Sequence, residues 1–491
     1  MTCVVASAAA PPNPYLEILT LESKRSLGNG ELARLLDSPD ARVAARAALA
    51  VGRTKQASGE PLVAAHLADP RTAVRAFSVY SAGLLATGDQ ATAIVGALGD
   101  PAGAVRVAAA DAVARYEAAG RFGSAEIPAQ QALERALASD SSAIVRARAA
   151  VALVEFRSGP RVPEAAKALT AAYRGDRDPG VRWHAMWAIY RGFAVAAGTA
   201  VVEPALHDRD ELVRIEAVRA MARFKDARLV GAVEPLLADR SWRVQEQASE
   251  TLRVLEGKKP SEHWTAIPAF VHVPAVRPDP LRGLPALPAG PTPPAGAPLP
   301  EQAILEPALD PATAAEMTSP AAGPHPRVRI VTSKGNLYVT LFPEWAPMTV
   351  ANFLNLAQRG YYDGNRWFRI VPDFVVQTGD PNDNGNGDAG YSLGAEENPL
   401  EQRSYVISMG LNYDDKTQTP IRDSAGTQYY VTLSPQLHLD RDFTVFGEIT
   451  GGFDVLANLV ERDRVLRVER IAGANVKTPA SNPAAASPAP D

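Results

Sequence analysis

Seven times along the first half of the chain, an aspartate is followed five or six residues later by a valine that leads an alanine-rich stretch. The pairs are Asp37/Val43, Asp69/Val74, Asp100/Val105, Asp140/Val145, Asp176/Val181, Asp208/Val213 and Asp239/Val244, and successive valines lie 31, 31, 40, 36, 32 and 31 residues apart. In five units an arginine follows the valine directly (Arg75, Arg106, Arg146, Arg182, Arg214), while Ala44 and Gln245 hold that place in the first and last. A leucine before the aspartate (Leu36, Leu67, Leu98, Leu137, Leu206, Leu237) closes the helix ahead of the turn. A unit of this length makes a helix pair too small to bury its own apolar face, so the units must stack into one continuous core. The aspartate suits a helix N-cap or turn, where its carboxylate accepts free N–H groups, and the valine is expected to face the core. Residues 25–256 are therefore expected to form an all-α solenoid of about seven repeats.

This pattern resembles HEAT repeats of the short variety, and the resemblance implies a protein-docking module. The recurring arginine has two readings: a ladder pairing with the aspartate of an adjacent repeat, or a basic track for phosphates. The chain carries 50 Lys+Arg against 55 Asp+Glu, a net charge of −5, and Glu211, Glu216 and Glu246 are interleaved with the arginines. The ladder is the expectation, and no nucleic-acid partner is expected. Trp183 and Trp187, four apart, are expected to pack in the core or a groove.

Cys3 is the only cysteine, which excludes an internal disulfide and a cysteine-based zinc site. The 7 histidines form no metal-ligand pair motif, and no run of 18 apolar residues predicts a membrane span. Residues 1–24 are expected to be a tail. Its small apolar start, ahead of Pro11 and Pro12, fits either a cytoplasmic protein or an envelope protein whose true start lies upstream. Residues 257–326 hold 17 of the 41 prolines, a density that forbids regular helix and sheet, so an extended linker is expected over 257–325. Within it, His263 to Val276 is apolar enough to dock on a neighbour. Residues 475–491 are Pro/Ala/Ser low complexity and read as a disordered tail.

Over residues 326–474 the periodicity changes. Val328 and Ile330 alternate with Arg327 and Arg329, and Leu337, Val339 and Leu341 alternate with Asn336, Tyr338 and Thr340; Ser333-Lys334-Gly335 between them predicts a hairpin. Pro347 fits a first helical position, Val350, Phe353, Leu354 and Ala357 share one helix face, and Gly360 fits the C-terminal cap. Strand-like runs follow at 367–378, 405–409, 428–433 and 445–449, with a second helix near 453–461. Short strands with two helices predict a closed antiparallel β-barrel capped by helices.

Four stretches carry a second resemblance. They are Ala346 to Phe353 with Gly360 to Gly364; Phe368-Arg369-Ile370-Val371-Pro372-Asp373-Phe374-Val375-Val376-Gln377-Thr378-Gly379-Asp380; Asp423 to Tyr430; and His438-Leu439-Asp440 with Phe443 to Gly447. Their order and content resemble cyclophilin-type peptidyl-prolyl cis-trans isomerases, notably bacterial members. The chain departs from that pattern at Phe368, where a histidine is usual, at Asp373 and Thr378, which replace glycines, and at Tyr429-Tyr430, which replace two phenylalanines. Leu411 stands for an asparagine of some members and His438 for the eukaryotic tryptophan, and the segment 411–422 is longer than in compact relatives.

Rotation about an X-Pro bond crosses a barrier of about 20 kcal/mol set by amide resonance. Catalysis needs a pocket for the proline ring and donors that favour the twisted state, with no nucleophile, metal or cofactor. The resemblance implies that Arg369 weakens the resonance and that Gln377 orients Arg369 and the substrate carbonyl. It implies that Phe374, Tyr430, Leu439 and Phe443 line the proline pocket, and that Met409, Gly410, Gln428 and His438 border the peptide groove. Each alone has a plainer reading: Arg369 as a strand salt-bridge residue, Gln377 as a polar strand position, Phe374 and Tyr430 as core aromatics, and His438 as a surface loop residue. Asp380, Asn382, Asn384 and Gly385 match the start of a calcium loop, but the closing acid would fall at Tyr391 and no helices flank it, so a polar loop is expected. Three functions remain: an isomerase whose solenoid docks protein clients, a non-catalytic scaffold that grips proline segments, and a nucleic-acid-binding solenoid.

Overall fold

The computed structural model describes residues 13–257 and 325–471, save 386, 415, 418 and 462. Seven helix pairs follow one another among the described residues: Glu31–Leu36 with Ala41–Arg53, Glu60–Ala64 with Thr72–Leu85, Ala91–Gly96 with Gly103–Ala118, Glu126–Ser139 with Ala143–Ala152, Val162–Gly175 with Pro179–Ala188, Thr199–Ala205 with Glu211–Phe224, and Val230–Val233 with Trp242–Leu255. The seven repeat valines are all buried. A Cβ built on Gly83 would stand 2.7 Å from the Ala112 Cα, so the second helices of neighbouring repeats meet almost backbone to backbone. Trp183 and Trp187 are buried among them.

The repeat aspartate does not itself cap the second helix. From Asp69 onward it stands two residues earlier, and its carboxylate takes the N–H of Arg71, Ala102, Ser142, Asp178, Asp210 or Ser241 at 2.8–2.9 Å. This is an Asx turn. In the third, fourth, fifth and seventh units it also binds an arginine of an earlier repeat. Arg75 grips Asp100 with two nitrogens, and Arg106 grips Asp140, Arg146 grips Asp176 and Arg214 grips Asp239 likewise. Each of these four arginines, and Arg182, donates as well to the main-chain carbonyl of its own unit's aspartate. Gln245 repeats that bond in the last unit. The expected ladder is thus the arrangement seen, and it leaves these guanidinium groups committed. In the first unit the cap is Asp40, three residues beyond Asp37.

The expected tail over 1–24 is partly helix. Pro14–Ser23 is capped by Asn13, and Ile18 is fully buried in the solenoid core. A capping asparagine followed by proline is a helix start, which the preceding prolines obscured. The remainder of that tail, the linker with its apolar stretch at 263–276, and residues 475–491 lie outside the described residues.

Among the described residues 325–471 the strands form one eight-stranded antiparallel sheet: β1 Arg327–Thr332, β2 Gly335–Leu341, β3 Arg369–Val371, β4 Val375–Thr378, β5 Val406–Met409, β6 Tyr429–Thr432, β7 Val445–Gly451 and β8 Val465–Ile471, in the order β3-β4-β6-β5-β7-β2-β1-β8. The expected barrel is not closed by a continuous ladder. The edges are joined by the bridge Arg366↔Arg464 and by the Trp367 N–H on the Asp463 carbonyl at 2.9 Å, because β3 has only three residues to pair. The single strand-like run 367–378 is a hairpin, β3 to β4, that turns at Asp373 with φ +55°. The helix Pro347–Gln358 buries Val350, Phe353 and Leu354 in the barrel core, and the second helix is short, Phe453–Ala457.

The two halves share a core. Phe342, Trp345, Leu400, Val406, Leu437 and Val445 of the barrel belong to the same buried apolar cluster as the solenoid. Polar contacts surround it, many of them made by residues of the repeats' second helices. Arg53, fully buried, donates to the carbonyls of Trp345 at 2.7 Å and Glu397 at 2.9 Å while paired with Glu22. Arg148 donates to the Pro399 carbonyl at 2.6 Å and pairs with Glu401 at 3.3 Å. Arg219 and Arg243 both reach Asp373.

Candidate functional site

Strand register assembles the site. Arg369 pairs with Gln377, Gln377 with Tyr430, and Tyr430 with Ser408. Residues in one such row share a face of the sheet, and the row below it, Ile370–Val376–Val431–Ile407, supplies the core face instead. On the outer face Val375, Tyr430, Leu439 and Phe443 form a separate buried apolar cluster, with Phe374 and Leu411 packed against it. The Tyr430 and Phe443 rings meet edge to face, centroids 5.8 Å apart.

Arg369 stands at the edge of this slot. Its guanidinium carbon lies 5.4 Å from the centroid of the Phe374 ring, and it donates to Gln377 Oε1 at 3.2 Å. Gln377 Nε2 donates to Gln428 Oε1 at 3.0 Å, and Gln428 Nε2 donates to the carbonyls of Gly385 at 2.9 Å and Gly387 at 3.0 Å. Carbonyls accept only, so these two fix the Gln428 amide, which fixes the Gln377 amide, which presents an oxygen to the arginine. Arg369 keeps an exposed flank, yet partial desolvation lowers its pKa; a guanidinium so shifted remains a cation at neutral pH.

Gly410 completes the relay. Its N–H donates to the Gln428 carbonyl at 2.8 Å, and a Cβ there would stand 3.1 Å from Gln428 Cβ and 3.2 Å from Gln377 Nε2. His438 stacks on Phe374, centroids 5.7 Å apart and planes 17° apart. The residue keeps solvent exposure, but partial desolvation, with Arg191 and Arg219 nearby, lowers its pKa to about 4. Met409 is buried in the barrel core, not in the slot cluster. Tyr430's hydroxyl is buried near Ser408 and Gln402, and burial raises its pKa well above the ordinary value.

The structure thus gathers Arg369, Gln377, Phe374, Gly410, Gln428, Tyr430, His438, Leu439 and Phe443 around one slot. Val375 was not foreseen, although its place two residues before Gln377 on β4 puts it on the same face. Nor were Arg219 and Arg243, which reach Asp373 beside the slot from far away in sequence. Asp380 accepts from the N–H groups of Asn382 and Asn384 at 2.7 and 3.0 Å and from that of Gly385. That is a self-capped loop, and no group of three or more metal-ligating side chains occurs among the described residues.

Residues 327–476 match the family model described as cyclophilin type peptidyl-prolyl cis-trans isomerase/CLD, and residues 93–190 and 199–268 match that of HEAT repeats. The chain is 37% identical over 135 residues to peptidyl-prolyl cis-trans isomerase B of Bacillus subtilis, spanning 27% of this chain and 88% of the relative. It is 34% identical over 145 residues to a peptidyl-prolyl cis-trans isomerase of Synechococcus elongatus, spanning 29% of this chain and 94% of the relative. The crystal structure of a cyclophilin type peptidyl-prolyl cis-trans isomerase from Cryptosporidium parvum aligns with 25% identity over 30% of this chain and 99% of that one, at a TM-score of 0.28. A relative matched over 88% of its length, with the four motifs in order, places this chain, through residues 327–476, in the cyclophilin-type peptidyl-prolyl cis-trans isomerase family.

Proposed function

We propose that the protein accelerates cis–trans rotation about X-Pro bonds in polypeptide substrates. The observation that carries this reading is the Arg369 guanidinium, oriented by the Gln377–Gln428 relay at the lip of the slot made by Phe374, Val375, Tyr430, Leu439 and Phe443. The proline ring enters the slot, and the peptide backbone lies along Gly410, Gln428 and His438. Arg369 donates towards the prolyl nitrogen or the neighbouring carbonyl, where charge localises as the imide twists out of conjugation. No bond to the protein forms or breaks.

The solenoid's second-helix surface is covered by the isomerase half, which leaves the first helices as the surface for a further protein partner. Four of the repeat arginines are paired with aspartates of later repeats, which supports a reading without nucleic acid. Among the described residues no helix is long and apolar enough to cross a membrane.

The test is a protease-coupled isomerisation assay on the full chain and its Arg369→Ala variant. A loss of roughly 10²–10³-fold in kcat/KM is expected for removal of one preorganised donor. Equal rates for the two proteins, with a proline peptide still bound, would leave only a gripping scaffold.

A further inference from the structure

Asp373 occupies the turn of the β3–β4 hairpin at φ +55°. Left-handed backbone is easy for glycine and costs other residues about a kcal/mol or more. Something must offset that strain, and the surroundings of the side chain supply it. The buried carboxylate lies 3.2 Å from Arg243 Nε and 3.3 Å from Arg219 Nη2, both on the last two repeats of the solenoid. Arg219 is held by Glu216 at 3.2 Å and by Gln247 at 2.9 Å. The Asp373 carbonyl accepts from Ser434 Oγ and from Gln436 Nε2, the latter at 2.9 Å.

From this anchor the contacts run straight into the slot. Arg243 also donates to the Leu433 carbonyl at 2.9 Å, and the Leu433 N–H donates to the Phe374 carbonyl at 2.8 Å. Phe374 is the next residue after Asp373. Its ring carries His438 on one contact and the Arg369 guanidinium on another. One carboxylate therefore ties the solenoid to the aromatic that floors the slot and flanks the guanidinium.

The geometry points to Asp373 as a positioning residue: the Arg219/Arg243 clamp on its carboxylate, supplied by the solenoid, sets the placement of Phe374 and Arg369, so the isomerase site is complete only with the solenoid docked. This rests on the isomerase reading and adds that the second domain is part of the site's construction. A rigid scaffold that errs by about 1 Å at a reacting group loses up to 10²-fold in rate, which is the scale on which such a clamp acts.

The test uses the full chain with Asp373→Gly, the double variant Arg219→Ala/Arg243→Ala, and all three changes together. Glycine adopts this φ without strain, so Asp373→Gly keeps the hairpin, and far-UV circular dichroism checks that it does. Isomerisation of a proline-containing tetrapeptide and its dissociation constant are both measured. The expected result is a loss of about tenfold in kcat/KM for Asp373→Gly, shared between a raised KM and a lowered kcat. At least that loss is expected in the arginine pair, which also removes the Arg243 bond to the Leu433 carbonyl, and the triple variant should lose no more than the arginine pair, because the Asp373 clamp is already gone there. Asp373→Asn, which tolerates the left-handed backbone and keeps an acceptor, should recover part of the activity. Unchanged kcat/KM and affinity in Asp373→Gly, or losses that multiply in the triple variant, would overturn the inference. A wild type no faster than Arg369→Ala would instead remove the isomerase reading, and the dissociation constants would then decide on the clamp.

Discussion

Phe77 of the solenoid and Trp345 of the isomerase half lie ring to ring, centroids 5.9 Å apart with planes inclined by 52°. Both are buried, and the Trp345 carbonyl accepts from Arg53. The two halves are therefore expected to unfold together. Trp345→Ala should cost about 3–5 kcal/mol, the range for a large buried aromatic. Urea titrations followed by helix content and by amide hydrogen exchange of the barrel strands should shift to lower midpoints in step. A barrel signal that moves while the helical one stays fixed would reject a common core.

Gly410 tests the amide relay without removing a polar side chain. In Gly410→Ala the new methyl meets Gln428 Cβ at 3.1 Å and Gln377 Nε2 at 3.2 Å, so the amide that receives Arg369 must give way. A fall of about tenfold in kcat/KM is expected with little change in melting temperature, by the same positioning argument. Full activity in the variant would mean that the Gln377 amide does not orient the guanidinium.

A pH effect should appear at Asp440, which follows the slot residue Leu439. Its carboxyl is buried, and although Arg148 partly offsets the penalty, burial and the Glu401 carboxylate push its pKa up from 3.8 to about 7. The folded state therefore holds this proton more tightly than the unfolded one. The group's contribution is full below about pH 4 and is lost as the pH rises through 7. Asp440→Asn keeps an oxygen for the Gln402 N–H, now bound at 2.7 Å, and cannot ionise. The melting temperature of the variant relative to wild type should rise between pH 5.5 and pH 8.5. A difference independent of pH would show that Asp440 does not titrate in that window.

The ladder can be tested against an exposed pair. Arg146 and Asp176 have side chains only 7% and 8% exposed, and Arg146→Ala leaves a shielded carboxylate with no cation, held by the Asp178 N–H alone, and removes the arginine donor of the Asp140 carbonyl. A loss of roughly 3 kcal/mol is expected, the low end for breaking a buried pair. Arg42, 72% exposed beside Asp40, should give no measurable change when replaced by alanine. Comparable effects at the two sites in chemical denaturation would contradict the ladder's structural role.

Much of this was readable from the chain because the signals are local or periodic. The seven valines recur at a nearly constant spacing, and burial follows that spacing. Arg369, Gln377 and Gln428 stand in ordered motifs, and strand register does the rest. What was not readable depends on contacts between distant segments. β8 was missed because its inward positions, Val465 and Val468, are three apart around a register shift opposite Val331 and Thr332, which breaks the alternation. The sequence predicts one strand through Asp373, because an aspartate does not announce left-handed backbone. Arg219 and Arg243 reach across 154 and 130 residues to Asp373, counted from their numbers, and nothing in their own repeats marks them apart from their neighbours.

The shared core has a consequence for how such a chain can be inherited. Phe342, Trp345, Leu400 and Leu437 are buried in the apolar cluster that the barrel shares with the solenoid. A cyclophilin unit that travelled alone would present them to water as one adhesive patch, and selection would have to replace them with polar side chains. Those four positions therefore serve as a signature in other genomes: apolar where the companion is present, hydrophilic where the unit stands by itself.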